Sequence, residues 1–312
     1  MSERVIRAFS PASIGNVAAG FDTLGAALAP LDGQPWGDVV EVRESDRDSF
    51  VTEGPFAHRL PGDPSQNLVL RAKARFALEL EAPLPPLAIR LEKGLPVNSG
   101  LGSSSASIVA ALVALNAWCG EPLGILEVLL LAGELEGANT GAAHLDNVAP
   151  CLLGGLRMIT SGGKVRALPW PEELVFVMIH PALELSTAVS RAALPAQVPL
   201  SLAVAHAQNL ATLVHALHAH DLGLLRVSLQ DGLVEPHRAP MVKGFRESQA
   251  AALASGAWGC SLSGSGPSVF AVAEEAQAEG VAQAMVQAFQ NAGVSAEARL
   301  CRLDIEGARV LG

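Results

Sequence analysis

The fold of this chain is decided by Pro96 to Ala106, which has the sequence Pro-Val-Asn-Ser-Gly-Leu-Gly-Ser-Ser-Ser-Ala. An apolar run, Ile108 to Leu115, follows without a helix breaker. The two glycines permit positive φ and close approach of the backbone to a ligand. The three serines stand where a helix begins, and the free amides and dipole of a helix start attract anions. The stretch therefore predicts an anion-binding loop, in which serine hydroxyls can cap the helix, contact phosphate oxygens or ligate Mg²⁺.

This loop differs from the commoner phosphate-binding signatures. The pattern Gly-x4-Gly-Lys-[Ser/Thr] is absent from the chain, and so are the His-Arg-Asp and Asp-Phe-Gly motifs of protein kinases. A tight turn followed by a helix cap would also explain a Gly-Leu-Gly-Ser-Ser sequence. The proline, the glycine turn, the serines and the alanine-rich helix together favour a phosphate site over that simpler explanation.

The composition indicates a large core and disfavours nucleic acid as a partner. The chain has 312 residues, 50% of them hydrophobic, which is enough for two domains or one large one. Its net charge is -10, and no basic cluster with interleaved aromatic residues occurs. Because this charge gives no long-range attraction for anions, an anion site must be built locally from helix ends and a few arginines.

Cysteine usage and hydropathy bear on the cellular compartment. The cysteines Cys119, Cys151, Cys260 and Cys301 lie far apart, which predicts buried free thiols in a reducing compartment. The N-terminus lacks a signal-peptide core, and no uninterrupted apolar run reaches the ~18 residues of a membrane span. We expect a soluble, cytoplasmic protein that contacts no membrane.

The hydrophobic patterns predict alternating helices and strands of an α+β protein. In the first half, strands are expected at 5–9, 38–43 and 87–91, helices at 67–80, 104–119 and 123–136, and a strand pair at 155–168. Pro169-Trp-Pro171 is the best boundary between two domains, 1–168 and 169–312. In the second half, strands at 174–179, 257–262, 268–273 and 294–302 and helices at 200–218, 242–254 and 275–291 predict a ferredoxin-like arrangement of split β-α-β units.

Ser263-Gly-Ser-Gly-Pro267 lies between two of these predicted strands. Its small residues expose the backbone, although a plain hairpin turn would explain the same sequence. Combined with the loop at Pro96 to Ala106, it favours a two-sided cradle for phosphate.

The segment from Gly141 to Pro150 carries His144, Asp146 and Asn147 among apolar neighbours. Polar groups in such a setting need partners, although solvated loop residues remain an alternative. Just upstream, Glu134 and Glu136 end a predicted helix, where the dipole disfavours acids. One of the two is expected to reach a metal and the other to lie on the surface.

Thr187 and Arg191 are four residues apart and so share a helical face, while Arg238 follows Glu235-Pro-His. Arginine forks suit carboxylates and phosphates, although either arginine could instead form a surface ion pair.

Together these residues resemble the superfamily of galactokinase, homoserine kinase, mevalonate kinase and phosphomevalonate kinase (GHMP). Within it, His144-Leu-Asp-Asn-Val-Ala-Pro150 makes the chain most similar to the homoserine kinase family. The resemblance spans almost the whole length and includes these further segments: Pro11-Ala-Ser13, Asn16, Gly20-Phe-Asp-Thr-Leu-Gly25, Asp63-Pro-Ser-Gln-Asn-Leu68, Gly133-Glu-Leu-Glu-Gly137, Glu235-Pro-His-Arg238 and Ser263-Gly-Ser-Gly-Pro267. It implies a two-domain α+β fold, with an N-terminal α/β sandwich-type domain that carries the phosphate loop and a C-terminal ferredoxin-like domain.

The resemblance implies ATP-dependent phosphorylation of L-homoserine to O-phospho-L-homoserine in threonine biosynthesis, by an enzyme that uses Mg²⁺ and is expected to form a homodimer. It assigns Ser104 and Glu136 to the metal. It assigns a larger set to the nucleotide: Asn67, Pro96, Val97, Asn98, Ser99, Gly100, Leu101, Gly102, Ser103, Ser104, Ser105, Ala106, Gly264, Ser265 and Gly266.

For the acceptor, the resemblance assigns Asp22 to the ammonium group and Arg191 and Arg238 to the carboxylate. Asn147 would bind the attacking hydroxyl, and Thr187 would lie near the transferred phosphoryl group. The catalytic set is then Asn147, Thr187 and Arg191, and the substrate-binding set is Asn16, Asp22, His144, Asp146, Asn147, Arg191 and Arg238.

Because an asparagine has no titratable group near neutral pH, the sequence predicts catalysis by alignment and charge neutralisation without a dedicated base. Two alternatives stay open. One is a related kinase with a mevalonate-type or sugar acceptor; Arg191 and Arg238 favour an acceptor that bears a carboxylate, and the resemblance at Asn147 favours homoserine. The other is a non-catalytic nucleotide-binding protein on the same fold, which Ser104, Glu136 and Asn147 disfavour.

Overall fold

The structure is a computed structural model that describes residues 4–138 and 144–312. The strands of the first part are β1 (Val5–Gly15), β2 (Leu24–Pro30), β3 (Gly37–Glu44), β4 (Ser49–Glu53), β5 (Leu87–Glu92), β6 (Leu156–Ile159) and β7 (Val165–Leu168). Its helices are α1 (Leu68–Ala77), α2 (Ser103–Trp118), α3 (Ile125–Gly137) and α4 (Val148–Leu153). Residues 139–143 lie outside the described residues, and they include the start of the segment from Gly141 to Pro150, whose end forms the beginning of α4.

The remainder of the chain also mixes helices and strands. Its strands are β8 (Leu174–Pro181), β9 (Gly259–Leu262), β10 (Val269–Glu274), β11 (Ala296–Leu303) and β12 (Arg309–Leu311). Its helices are α5 (Thr187–Ala192), α6 (Leu200–Ala219), α7 (Leu222–Ser228), α8 (Glu235–Arg238), α9 (Phe245–Ala254) and α10 (Glu275–Asn291). None of the helices in the described part of the chain combines the length and apolar character needed to cross a membrane.

A continuous path of paired strands runs through both parts in the order β4-β5-β3-β1-β2-β11-β8-β10-β9. Strand β1 makes this possible because its first residues pair with β3 and its last residues pair with β2. The stretch β11-β8-β10-β9 is antiparallel throughout, which confirms the predicted ferredoxin-like arrangement. The division at 168 and 169 stays a prediction, since the pairing of β2 with β11 carries the sheet across it.

The protein has a larger and a smaller hydrophobic core, and strand β8 contributes side chains to both. Val175, Val177 and Ile179 pack against α9 and α10 on one face, while Phe176 and Met178 join the larger core on the other. All five side chains are buried, because successive residues of a strand point to opposite faces and helices or strands cover both.

Helix α2 is the central helix of the larger core. Its residues from Ser105 to Leu112 are all buried, and it packs on β1 and β3 between α1 and α3. Alanines and serines are interspersed with larger residues along it, which lets neighbouring elements approach closely. The start of α2 is therefore fixed rigidly against the sheet.

Candidate functional site

The predicted anion loop ends at the N-terminus of α2. Asn98, Gly100 and Gly102 have φ of 55°, 78° and 64°. A Cβ at Gly102 would overlap the side chain of Ser13, so the close approach as well as the positive φ requires glycine there. The expectation that a serine caps α2 is wrong, because the N-cap is Gly102 and makes no side-chain cap.

The serines of this loop instead bind its surroundings. Ser103 Oγ donates to the Leu95 carbonyl at 3.4 Å, and Ser104 Oγ donates to Oε1 of Glu136 at 2.6 Å. The first turn of α2 thus keeps its backbone amides free of serine caps, as an anion site at a helix start requires.

A buried ion pair that sequence reasoning missed lies under the loop. Lys93 Nζ donates to the Asp38 carboxylate, to the Ser103 carbonyl at 2.9 Å and to Ser107 Oγ at 3.1 Å. Asp38 Oδ1 accepts from the backbone of Gly94 and Leu95 at 3.0 and 3.1 Å. Because neither charge reaches solvent, the pair fixes both the approach to the loop and the start of α2.

The second glycine loop contacts the first, as the cradle hypothesis requires. Ser263 Oγ donates to the Gly100 carbonyl at 2.6 Å, and the backbone N–H of Ser268 donates to the Ser99 carbonyl at 3.0 Å. The loop is the connection between antiparallel strands β9 and β10, so the hairpin and the cradle are the same structure. On its other side, Ser265 Oγ lies 3.4 Å from Thr187 Oγ1 at the start of α5.

Of the two acids near the end of α3, only Glu136 points into the protein. Glu134 is exposed and pairs with Arg75, whose Nε lies 3.0 Å from Oε1. Oε2 of Glu136 is buried and has no hydrogen-bond partner among the described residues. Burial raises the pKa of Glu136, and the Ser104 hydroxyl opposes that shift.

This pair of groups fits a magnesium ion. Mg²⁺ takes oxygen ligands, commonly one or two carboxylates completed by phosphates and water. The Ser104 hydroxyl and the unpartnered Glu136 oxygen supply such a set beside the anion loop. Within residues 4–138 and 144–312, no group of three or more His, Cys, Asp or Glu side chains suited to a metal occurs.

The predicted acceptor residues meet near the second loop. Asn16 accepts from the Asp22 backbone N–H at 3.2 Å and donates to the Gly264 carbonyl at 3.0 Å. Asp22 forms an ion pair with Arg191, with 2.9 Å between Nη2 and Oδ2. Nη2 of Arg191 also lies 3.5 Å from Nδ1 of His144, and burial followed by the charge of Arg191 lowers the pKa of His144.

Arg238 lies on the inner side of the same cluster. It is buried and donates to the Gly264 carbonyl at 3.0 Å. The ring of Phe21, which the sequence analysis did not select, contacts both arginines, at 5.3 Å from Arg238 and 5.7 Å from Arg191. Burial and the charge of Arg191 lower the pKa of Arg238. Two cations so close together suit a shared anionic ligand.

Asp146 and Asn147 lie between this cluster and the anion loop. Asn147 Oδ1 accepts from Ser13 Oγ at 2.9 Å, and Asn147 Nδ2 lies 3.5 Å from Oδ2 of Asp146. Burial raises the pKa of Asp146 to about 7, and the carboxylates of Asp22 and Glu136 add to the shift.

Asn67 lies apart from this network, in the wall of a cavity of about 280 Å³. Its Oδ1 caps α1 by accepting from the Val69 N–H at 2.9 Å. The other lining residues are Phe50, Thr52, Ala57, Leu60, Pro61, Gly62 and Pro64. The backbone of Lys93 bonds to Glu53 and Phe56, which ties this cavity to the start of the anion loop.

Comparison with known proteins gives matches along the whole chain. The family model of the GHMP kinase N-terminal domain matches residues 67–155, and that of the GHMP kinase C-terminal domain matches residues 213–291. The crystal structure of homoserine kinase from Cytophaga hutchinsonii ATCC 33406 is 37% identical, with a TM-score of 0.92. The match covers 100% of this chain and 98% of that one.

Two more distant structures share the fold. The L. major mevalonate kinase, solved in complex with R-mevalonate, is 17% identical with a TM-score of 0.71, and the match covers 97% of this chain and 98% of that one. The Streptococcus pneumoniae phosphomevalonate kinase is 13% identical with a TM-score of 0.69, covering 99% of each. The chain belongs to the GHMP kinase family.

Proposed function

We propose that this protein transfers the γ-phosphoryl group of ATP to the side-chain hydroxyl of L-homoserine, giving O-phospho-L-homoserine and ADP. The observation that carries the proposal is the cluster of Asp22, Arg191 and Arg238 beside the anion loop. It offers one anion and two cations to a zwitterionic acceptor, which matches an α-amino acid better than a sugar or mevalonate. The 37% identity to a homoserine kinase over the full chain supports the same acceptor.

On the nucleotide side, we assign the phosphates to the amides of the loop at 96–106 and of the loop at 264–266. The contact between these loops supports a joint site. The cavity at Asn67 suits the adenine base, because it combines apolar side chains with proximity to the start of the loop. Ser104 and Glu136 would hold Mg²⁺. When bound, the ion would neutralise charge on the transferred phosphoryl group.

On the acceptor side, Asp22 would receive the ammonium group and the two arginines the carboxylate. Asn16 fixes the Asp22 backbone, and His144 borders Arg191. Asn147 would bind the hydroxyl, and Thr187 would border the transferred group from the side of Ser265. The acceptor is thus held at several points around the reacting oxygen.

In the reaction, the hydroxyl oxygen forms a bond to the γ-phosphorus while the bond to the bridging oxygen of ADP breaks. The hydroxyl proton leaves with the phosphoryl oxygens or to water. Asn147 cannot take this proton, so the chain contributes alignment and charge neutralisation. A cytoplasmic homodimer that supplies threonine biosynthesis completes the proposal.

The test is ADP release by the purified protein with L-homoserine, R-mevalonate, galactose or no acceptor, at several Mg²⁺ concentrations. The proposal predicts Mg²⁺-dependent turnover with L-homoserine at least tenfold faster than with the other acceptors. Equal or faster turnover with mevalonate or galactose would refute the acceptor. Binding of ATP without ADP release from any acceptor would favour a nucleotide-binding protein without catalysis.

A further inference from the structure

Ser13 is a buried residue of β1 that contacts both halves of the candidate site. Its backbone N–H donates to the Leu101 carbonyl at 3.1 Å, and its Oγ lies where a Cβ at Gly102 would fall. The same Oγ donates to Oδ1 of Asn147 at 2.9 Å. A single hydroxyl therefore borders the anion loop and the residue assigned to the attacking hydroxyl.

A third group borders the Ser13 hydroxyl. Cys151, one turn of α4 beyond Asn147, has its Sγ 3.3 Å from the Pro11 carbonyl and 3.4 Å from Ser13 Oγ, so its single S–H proton is shared between these two acceptors. Burial raises the pKa of Cys151 to about 12, so the thiol keeps its proton. Because Oδ1 of Asn147 is an acceptor only, the proton of the Ser13 hydroxyl is directed to it.

The surroundings of Asn147 favour one orientation of its amide. The oxygen faces Ser13 and lies 3.1 Å from the position of a Cβ at Gly102. The nitrogen faces the Asp146 carboxylate at 3.5 Å and lies 2.7 Å from the position of a Cβ at Gly15. With Ser13 as the donor and Asp146 ionised, a flipped amide would place N–H groups against the Ser13 proton and an oxygen against the Asp146 carboxylate, losing both contacts.

We propose that Ser13 is a positioning residue for catalysis, which holds the Asn147 amide with its oxygen toward Ser13 and its N–H groups toward Asp146 and the acceptor. This inference rests on the proposed function. It assigns Asn147 the role of a donor to the attacking oxygen, which orients the hydroxyl and leaves its proton free to depart. Ser13 touches neither substrate and acts through Asn147.

The kinetic test compares Ser13→Ala with the wild type and with Ser248→Ala. Ser248 is equally buried, lies in α9, and its hydroxyl has no partner among the described residues. Loss of one neutral hydrogen bond predicts that Ser13→Ala lowers kcat about three- to tenfold, with the KM values of both substrates within about twofold. Ser248→Ala should keep wild-type constants.

A double-mutant cycle separates positioning from general damage. Asn147→Asp has no N–H to present, so adding Ser13→Ala to it should change kcat by less than about twofold. A wild-type kcat in Ser13→Ala would overturn the inference. The inference would also be overturned if the losses of kcat in Ser13→Ala and Asn147→Asp multiply in the double variant. A rise in the KM of either substrate in Ser13→Ala as large as the fall in kcat would overturn it too.

A second measurement does not depend on activity. In protein labelled with ¹⁵N-asparagine, the side-chain signal of Asn147 is identified by its loss in Asn147→Asp. We expect one sharp pair of amide protons in the wild type and in Ser248→Ala, and exchange-broadened or shifted signals in Ser13→Ala. Unchanged signals in Ser13→Ala would overturn the inference. Absence of turnover with L-homoserine in the wild type would instead refute the proposed function, and the amide orientation would still be tested.

Discussion

Arg191 and Asp22 form an ion pair although they are 169 positions apart in the chain. Nη2 of Arg191 lies 3.0 Å from Oδ1 and 2.9 Å from Oδ2 of Asp22. Each side chain is more than a third exposed, at 35% and 39%. An ion pair this open stabilises the fold by only about 0–1 kcal/mol. The pair can therefore be exchanged for the two charges of an amino-acid substrate at small cost.

We expect Asp22→Asn and Arg191→Gln each to raise the KM for L-homoserine tenfold or more while leaving the KM for ATP within about twofold. Each variant removes one charge-assisted contact to the acceptor, worth about 1.5–3 kcal/mol. Steady-state kinetics measures both constants, and urea unfolding should show a loss below about 1 kcal/mol. A matching rise in the KM for ATP would contradict the assignment to the acceptor.

Phe21→Leu should raise the KM for L-homoserine about three- to tenfold. The ring contacts both Arg191 and Arg238, and each cation–π contact is worth about 0.5–1 kcal/mol at such sites. Phe21→Tyr keeps an aromatic face and serves as the matched control. If Phe21→Leu and Phe21→Tyr have the same KM for L-homoserine, the aromatic ring does not position the arginines.

Glu136→Gln should abolish the increase in kcat that Mg²⁺ gives. Glu134→Gln, on the exposed side of the same helix, should retain this increase. We expect kcat to fall on the order of 100-fold in Glu136→Gln, because a metal ion contributes several kcal/mol of charge stabilisation. The measurement pairs kinetics with the rise in Tm that ATP causes with and without Mg²⁺. A Mg²⁺-dependent rise in Glu136→Gln as large as in the wild type would exclude Glu136 as a ligand.

Asp146 should make stability depend on pH. Its pKa is raised from the ordinary 3.8 to about 7, so the folded protein holds a proton that the unfolded chain releases between these values. The free energy of unfolding should therefore fall as the pH rises from about 4 to 7. Burial and the carboxylates of Asp22 and Glu136 drive this shift, and Arg238 opposes it electrostatically.

The variant Asp146→Asn cannot ionise, so its stability relative to the wild type should increase with pH. A shift of about three pKa units sets an upper limit of about 4 kcal/mol, and we expect a gain of about 2 kcal/mol at pH 8 over pH 5. Urea unfolding at pH 5 and pH 8 measures the difference in the free energy of unfolding between the variant and the wild type. Asp46→Asn, which changes an exposed aspartate, is the control. A difference that is the same at pH 5 and pH 8 would show that the carboxyl group is ionised throughout.

Lys93→Met should destabilise the protein by about 3–5 kcal/mol, because it leaves the Asp38 carboxylate buried without its cation. The double variant Lys93→Met/Asp38→Leu should recover part of this loss, since no unpaired charge remains. Urea unfolding of Lys93→Met, Asp38→Leu and the double variant gives the coupling free energy between the two side chains. Additive losses would show that the two side chains act independently.

The loop and helix α2 could be predicted because their determinants are local. Glycines, serines and an apolar run within twenty residues specify both the turn and the helix that follows. The same holds for α10, whose observed bounds, Glu275–Asn291, equal the predicted ones. Strand β2 was missed, because Leu24–Pro30 is rich in alanine and has no β-branched residue. Its extended form depends on pairing with β1 and β11, which the segment itself does not encode.

Strand β1 was predicted to end before Ser10 and continues to Gly15. Pro11 lacks an N–H, yet it is aligned with Gly37 in β3, and the ladder resumes when Ala12 donates to Trp36 at 2.8 Å. Sequence analysis selected Asn147 and Arg191 by motif and spacing. It could not find Ser13 or Lys93 as partners of the site, because their contacts join segments far apart in the chain.

We propose that the two glycine loops, at 96–106 and at 264–266, hold the triphosphate next to an amino-acid site. A crystal structure with a non-hydrolysable ATP analogue, Mg²⁺ and L-homoserine would show where each ligand lies. We expect phosphate oxygens at the amides of the first turn of α2, and the amino-acid carboxylate between Arg191 and Arg238. A triphosphate bound away from both loops would refute this assignment.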